Sequence, residues 1–361
     1  MAIIVRSLTP PPRLFMHDVP ATLAWQWPSL SVTLTTLGIA LVVWCGFWLY
    51  VWQHYLPIVI NTIGKAPLLV PEPSVPLPGG EECSFPTTDG LTLRGSYLSH
   101  RGSERRGVIL FGHELNGDRW NAGPYTSELL DAGYDVFTFD FRNHGTSDVQ
   151  PGAVMRPWIN PESVADVRAA VAYLAARPDA DPRGIGVLGI SRGGGAALCA
   201  AAVEPTIRCI FTDGAYPSRT THFLYLQRYV EIYVPRGWHW LSRNLPQWVY
   251  EIFLTQGRKV WGKENHYAFV DVEQTAARVQ QPVLMVHGER DPMIPVDAAR
   301  ALQQAIAGPS KLWVCPKAKH NGAVNAAPEE YRRRLLRFFR LHLAPHSRSR
   351  TGAKPIAAGR S

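Results

Sequence analysis

Charge is missing from a long early part of this chain: from Val19 to Gly64 there is no Asp, Glu, Lys or Arg. That absence argues against a buried core helix, because globular helices are seldom uncharged on every side. Cysteine is also sparse. Its five positions, Cys45, Cys83, Cys199, Cys209 and Cys315, form no C-x-x-C pair and no Cys/His cluster of zinc spacing, so they point to no metal site and do not settle the redox compartment. Cys199 and Cys209 sit in apolar surroundings and read as packing residues. The run Gly193-Gly194-Gly195 lacks the lysine of a phosphate loop and the spacing of a dinucleotide fingerprint, so no organic cofactor is expected. No internal repeat is visible.

Signatures of nucleic-acid readers are missing too, although the net charge is +8. The excess is localised. Residues 344–361 carry Arg348, Arg350, Lys354 and Arg360 with no acid, and Arg332, Arg333, Arg334, Arg337 and Arg340 fall on one expected helix. A solvated helix face and a disordered basic tail over 344–361 explain these charges, and no nucleic-acid partner is expected.

What is present begins with 361 residues, 46% of them hydrophobic and 18% charged, enough for a sizeable core. Val32 to Trp52 is almost wholly apolar, with Trp25, Trp27, Tyr50, Trp52 and Tyr55 gathered near its ends. About 20 such residues span a bilayer as a helix, and interfacial aromatics flank such spans. The run is longer than the core of a cleaved signal peptide. A transmembrane helix over 29–55 is therefore expected, after an N-terminal segment over 1–28. Arg6 and Arg13 precede it, whereas Lys65, Glu72, Glu81 and Glu82 come after it, so the positive-inside rule puts the remainder of the chain on the extracytoplasmic side. Six prolines between Pro57 and Pro78 predict an extended linker over 56–80.

From residue 81 to 343 short apolar strands alternate with helical patterns. Strands are expected at Glu82–Pro86, Leu91–Tyr97, Val108–Phe111, Asp135–Phe139, Gly184–Ile190, Ile207–Phe211, Pro282–Val286 and Lys311–Cys315. Helices are expected at Ser127–Ala132, Pro161–Ala176, Gly194–Ala202, Val296–Ile306 and Pro328–Leu343. Such alternation predicts an α/β fold with a mostly parallel sheet covered on both faces. Gly189-Ile190-Ser191-Arg192-Gly193 joins one strand to one helix. That is the context in which G-x-S-x-G becomes a nucleophile elbow, its glycines leaving room for strand and helix to approach.

Five pieces in order resemble the α/β-hydrolase superfamily: His113-Glu114-Leu115-Asn116-Gly117, Asp140 to Ser147, Gly189 to Gly193, His287 to Asp291, and His320-Asn321-Gly322. The resemblance implies Ser191 as nucleophile, His320 as its base and Asp291 as the orienting acid, in the family's chain order. Asp213 and Glu289 are competing acids. His113 and His144 are implied to be architectural, and Asp140 to tie loops together. The oxyanion donors implied are the backbone N–H groups of Leu115 and Arg192, with Glu114 an alternative to Leu115. Glu114 departs from the pattern, since many relatives carry glycine after this histidine. The segment 215–281 corresponds to a cap over the active site. Its many aromatics suit an apolar pocket, a membrane interface or a small core of the cap itself.

The function implied is a membrane-anchored serine hydrolase of carboxylic esters, lipid-like esters or thioesters, with a small-molecule or lipid-like acyl substrate and the membrane as partners. A serine exopeptidase or acyltransferase would use the same groups, and a non-catalytic interaction module is the remaining alternative.

Overall fold

The computed structural model describes residues 29–65 and 74–343, so the segment 1–28 and the tail 344–361 lie outside the described residues. The chain divides into two compact units, one ending at His54 and the other beginning at Tyr55. Helix α1 (Leu30–Gly64) supplies residues to both. In the first unit Leu34, Leu37, Ile39, Leu41, Val42, Val43 and Trp44 are exposed along α1. By length and composition alone, α1 is long and apolar enough to cross a membrane.

The expected linker over 56–80 requires correction. The helix does not stop at residue 55 but runs through Pro57 to Gly64. This stretch carries the apolar Leu56, Ile58, Val59, Ile60 and Ile63, of which Val59 and Ile63 are buried in the second unit. Burial worth roughly 1.5–3 kcal/mol for each such side chain offsets the helical hydrogen bond that a proline removes. The Ile63 carbonyl also accepts a bond from Trp158 Nε1 (3.0 Å). Of the described part of this span, Lys65 and residues 74–80 lie outside helix and strand.

All eight expected strands form: β1 (Glu81–Pro86), β2 (Thr92–Leu98), β3 (Gly107–Gly112), β4 (Tyr134–Phe139), β5 (Ile185–Ile190), β6 (Ile207–Asp213), β7 (Val283–Gly288) and β8 (Ser310–Cys315). They make one sheet in the order β1-β2-β4-β3-β5-β6-β7-β8. β2 is antiparallel to both β1 and β4, and every pairing from β4 to β8 is parallel. Alternate residues serve opposite faces. On β3, Val108 and Leu110 join the core on one face of the sheet, while Ile109 and Phe111 join that on the other.

The helices are α2 (Gly123–Asp131), α3 (Pro161–Ala176), α4 (Arg192–Ala201), α5 (Ser218–Tyr233), α6 (His239–Arg243), α7 (Gln247–Glu264), α8 (Val272–Ala276), α9 (Val296–Ala305), α10 (Ala323–Ala326) and α11 (Pro328–Leu343). Their ends follow local chemistry. Asn160 caps α3 through a bond from Ser163 N–H, Pro161 occupies its first position, and Pro178 lies just beyond its end. α11 carries Glu329 and Glu330 in its first turn and Arg340 and His342 in its last, matching the helix dipole. Tyr331, Leu335 and Phe339 of α11 are buried, and Arg332, Arg333 and Arg334 pair with Glu128, Glu329 and Glu330 on its outer side. The arginine-rich stretch is a solvated helix face.

Between β6 and β7, α5 to α7 form the inserted region. The last part of the expected insertion belongs to the body instead, because Val272, Ala276 and Val279 are buried in the same core cluster as Val283 and Ala197.

Candidate active site

β5 ends at Ile190 and α4 starts at Arg192, two residues earlier than expected, so Ser191 alone makes the turn. Its backbone sits at φ 49°, ψ −116°, a region that non-glycine residues enter only under constraint. Packing supplies the constraint. A Cβ on Gly193 would lie 2.3 Å from the Gly112 carbonyl oxygen, and one on Gly189 would lie 2.5 Å from Gly194 Cα. Ser191 N–H donates to the Asp213 carbonyl (2.7 Å), pinning the turn to the end of β6.

The loops after β7 and β8 bring the other expected residues to this serine. Ser191 Oγ is 2.8 Å from His320 Nε2, and His320 Nδ1 is 2.6 Å from Asp291 Oδ2. Asp291 Oδ1 accepts from the N–H groups of Met293 and Ile294, both at 2.8 Å. Burial pushes the Asp291 carboxyl up, but the bond and charge of His320 and the Ile294 N–H together outweigh it and hold the group below its ordinary value. His287 stands behind this loop, its Nε2 bonded to the Ile294 carbonyl (2.9 Å) and 3.4 Å from Asp291 Oδ2.

Asp213 is fully buried, and its two carboxyl oxygens find no hydrogen-bond partner among the described residues; the neighbouring Tyr331 hydroxyl closes none. Burial pushes its pKa up to about 8, so it holds a proton at neutral pH. Glu289 accepts from Lys317 N–H (3.0 Å). Neither carboxyl bonds His320; Asp291 does.

Two buried histidines brace the loop after β3. His113 Nδ1 bonds the Glu114 carbonyl (2.7 Å), and its Nε2 accepts from Phe141 N–H (3.1 Å). His144 Nδ1 bonds the Arg142 carbonyl (3.0 Å), and its Nε2 accepts from Asn116 N–H (3.3 Å). Each ring spends one nitrogen as donor and the other as acceptor, which requires the neutral form. Burial agrees, lowering His113 to about 4 and His144 to about 3. Asp140 accepts from Arg119 N–H (2.7 Å), the Arg119 guanidinium and Thr146 N–H (2.9 Å), so it joins the loops after β3 and β4.

Leu115 lines the same cavity as Ser191 and His320. Arg192 opens α4, where a backbone N–H has no carbonyl one turn earlier to bond. The Arg192 side chain is anchored elsewhere, donating to Asn160 Oδ1 (3.1 Å). Glu114 does not line the cavity and forms no ion pair among the described residues. Burial raises its pKa, which favours the uncharged form beside the loop.

The cavity has a volume of about 440 Å³. Ser191 and His320 lie in one part of its wall, with Leu115, Trp158, Tyr216, Tyr225, Tyr229, Ile232, Met293 and Ile294 among the rest. Tyr216 donates its hydroxyl to the Pro157 carbonyl and Tyr225 donates to the Met293 carbonyl (2.7 Å), so both rings present carbon to the interior. The aromatics of the insertion separate into three sets. Tyr216, Tyr225 and Tyr229 line the cavity; Tyr250, Phe253, Trp261 and Tyr267 are buried; Trp238, Trp240 and Trp248 are exposed. Thr62, Lys65, Pro157 and Trp158 also line it, and none of the four is marked by a sequence motif. For Thr62, the apolar Ile58, Val59, Ile60 and Ile63 around it are the available signal that a helix continues past Pro57; nothing local marks Lys65.

Comparison with known proteins bears on the family and the fold. Residues 102–334 match the model of the alpha/beta hydrolase family. An uncharacterised protein of Mycobacterium tuberculosis, Rv2307c, is 26% identical over 289 residues, covering 80% of this chain and 88% of that protein. Thiohydrolase aneE of Aspergillus aculeatus is 34% identical over 134 residues, 36% of this chain and 40% of its own length. The esterase Pf2001 of Pyrococcus furiosus superposes with a TM-score of 0.56 at 20% identity, over 78% of this chain and all of that one, which shows a shared fold. With well over half of its length matched by the family model, the chain belongs to the alpha/beta hydrolase family.

Proposed function

We propose that the protein is a membrane-anchored serine hydrolase that cleaves carboxylic esters or thioesters with an apolar acyl part. The observation that carries this is the unbroken hydrogen-bond chain Ser191–His320–Asp291 at the wall of an apolar cavity. In the first half-reaction, His320 Nε2 takes the Ser191 proton as Oγ bonds the carbonyl carbon. The N–H groups of Arg192 and Leu115 hold the oxyanion, and the carbonyl re-forms as the alcohol or thiol leaves with the proton from His320. Water then repeats the sequence: His320 takes a water proton, hydroxide bonds the acyl carbon, and Ser191 leaves with that proton as the acid is released. Asp291 stays ionised throughout and fixes the imidazole tautomer. The resemblance to a protein named a thiohydrolase supports including thioesters. The apolar helix α1 supports a single membrane anchor, and the charges flanking it support an extracytoplasmic hydrolase unit.

The test is hydrolysis of p-nitrophenyl butyrate by the full-length protein and by Ser191→Ala. Turnover that falls at least ~10⁴-fold in the variant is expected; equal turnover by both proteins overturns the reading.

A further inference from the structure

The polar groups of the cavity are unevenly distributed. Ser191, only 2% exposed, and His320 supply the reacting end. The tyrosine hydroxyls of Tyr216 and Tyr225 are spent on main-chain carbonyls, and no Asp or Glu among the described residues lines the cavity. Two cations do line it, Lys65 just beyond the end of α1 and Arg228 on α5, and both are exposed. Among the described residues neither has an ion-pair partner; Glu231, one turn along from Arg228, is bonded to Arg243 instead (2.8 Å). The cavity therefore has a buried nucleophile, aromatic and aliphatic walls, and two exposed positive charges that no acid among the described residues pairs.

We infer that the substrate is an acyl compound with an apolar middle and a negative charge remote from its scissile carbonyl, the charge being held by Lys65 and Arg228. This rests on the hydrolase reading for the scissile end, while the binding of an anionic amphiphile follows from the cavity alone. A neutral acyl chain of equal length would fill the same walls and leave both cations to water. Because the cations are exposed, the preference is modest, about 3- to 10-fold for the two together, and salt weakens it. A carboxylate and a phosphate supply the same chemistry, and the two are separated by experiment.

Two measurements on the full-length protein test this. The first compares kcat/KM for the p-nitrophenyl ester of an ω-carboxylated acid, one ending in phosphate, and a neutral acyl ester of the same length. Wild type is expected to favour one or both anionic esters about 3- to 10-fold, the better one naming the natural group. The ratio is expected to fall towards one in the Lys65→Gln/Arg228→Gln double variant and at about 0.5 M salt. A wild-type ratio at or below one, or a preference that survives in the double variant, overturns the inference. The second is calorimetric titration with decanoate, decyl phosphate and decanol, which needs no turnover. Tighter binding of an anion by wild type but not by the double variant supports the inference even if no ester is cleaved, in which case only the hydrolase reading fails. Equal binding of anion and alcohol overturns it.

Discussion

The elbow around Ser191 and the insertion around Trp240 are both conspicuous in the sequence, one for its glycines and the other for its aromatics, yet they differ in how much room their residues have. At the elbow, the closest atoms to an added Cβ on Gly193 are backbone, at 2.3 Å, and every residue of α4 is buried. In the insertion, an added Cβ on Gly237 meets nothing within 4 Å, and Trp240 is 75% exposed. Residue type at the elbow is dictated by contact. In the insertion, the same chemical class is distributed among wall, core and surface, and only the packing decides which.

This contrast yields predictions of decreasing size. The largest concerns which acid serves His320. Asp291→Asn should lower kcat/KM for p-nitrophenyl butyrate by about 10³- to 10⁴-fold, since an amide cannot hold the imidazolium. Asp213→Asn should cost less than about 10-fold; the opposite ranking would move the acid to β6. Gly193→Ala should then cost about 3 kcal/mol or more, read as a fall in Tm of roughly 10 °C, whereas Gly237→Ala should leave Tm within about 2 °C. Equal shifts would break the comparison.

A smaller effect comes from Asp213. Its folded pKa of about 8 lies above its ordinary value of 3.8. Between those values the unfolded chain has released this proton and the folded chain has kept it, so this group's effect on stability worsens as pH rises from about 4 to 8 and is level above that. Asp213→Asn should therefore be stabilising at pH 8, on the order of 2 kcal/mol, with little effect near pH 4. Urea unfolding at both pH values reads the difference, and a variant less stable at pH 8 than wild type contradicts the assignment. Smallest of all, Trp240→Ala should change stability by no more than about 0.5 kcal/mol in the same assay.

The legibility of the sequence divides in the same way. Strands β3 to β7 are readable because both faces of a parallel sheet are covered, which makes most of their residues apolar. Ser191, Asp291 and His320 are readable because each comes after a strand in a loop of small or polar residues. The end of α1 is not, because proline at position 57 outweighs the apolar residues on either side, whose partners Trp158 and Gly257 are far away in sequence. Lys65 is hidden for the same reason: nothing local marks a lysine as part of a cavity formed by α5 and the loops after β3 and β7. The burial that raises the pKa of Glu114 is a property of the folded loop and has no local mark in the sequence.

The central claim is that Ser191 is a nucleophile activated by His320 and Asp291. A fluorophosphonate probe, with peptide mapping by mass spectrometry, tests it most directly. A single adduct on Ser191 that forms quickly in wild type and slows at least ~10³-fold in His320→Ala is the predicted result. No adduct on Ser191 in folded wild-type protein, or labelling at the same rate without His320, would contradict it.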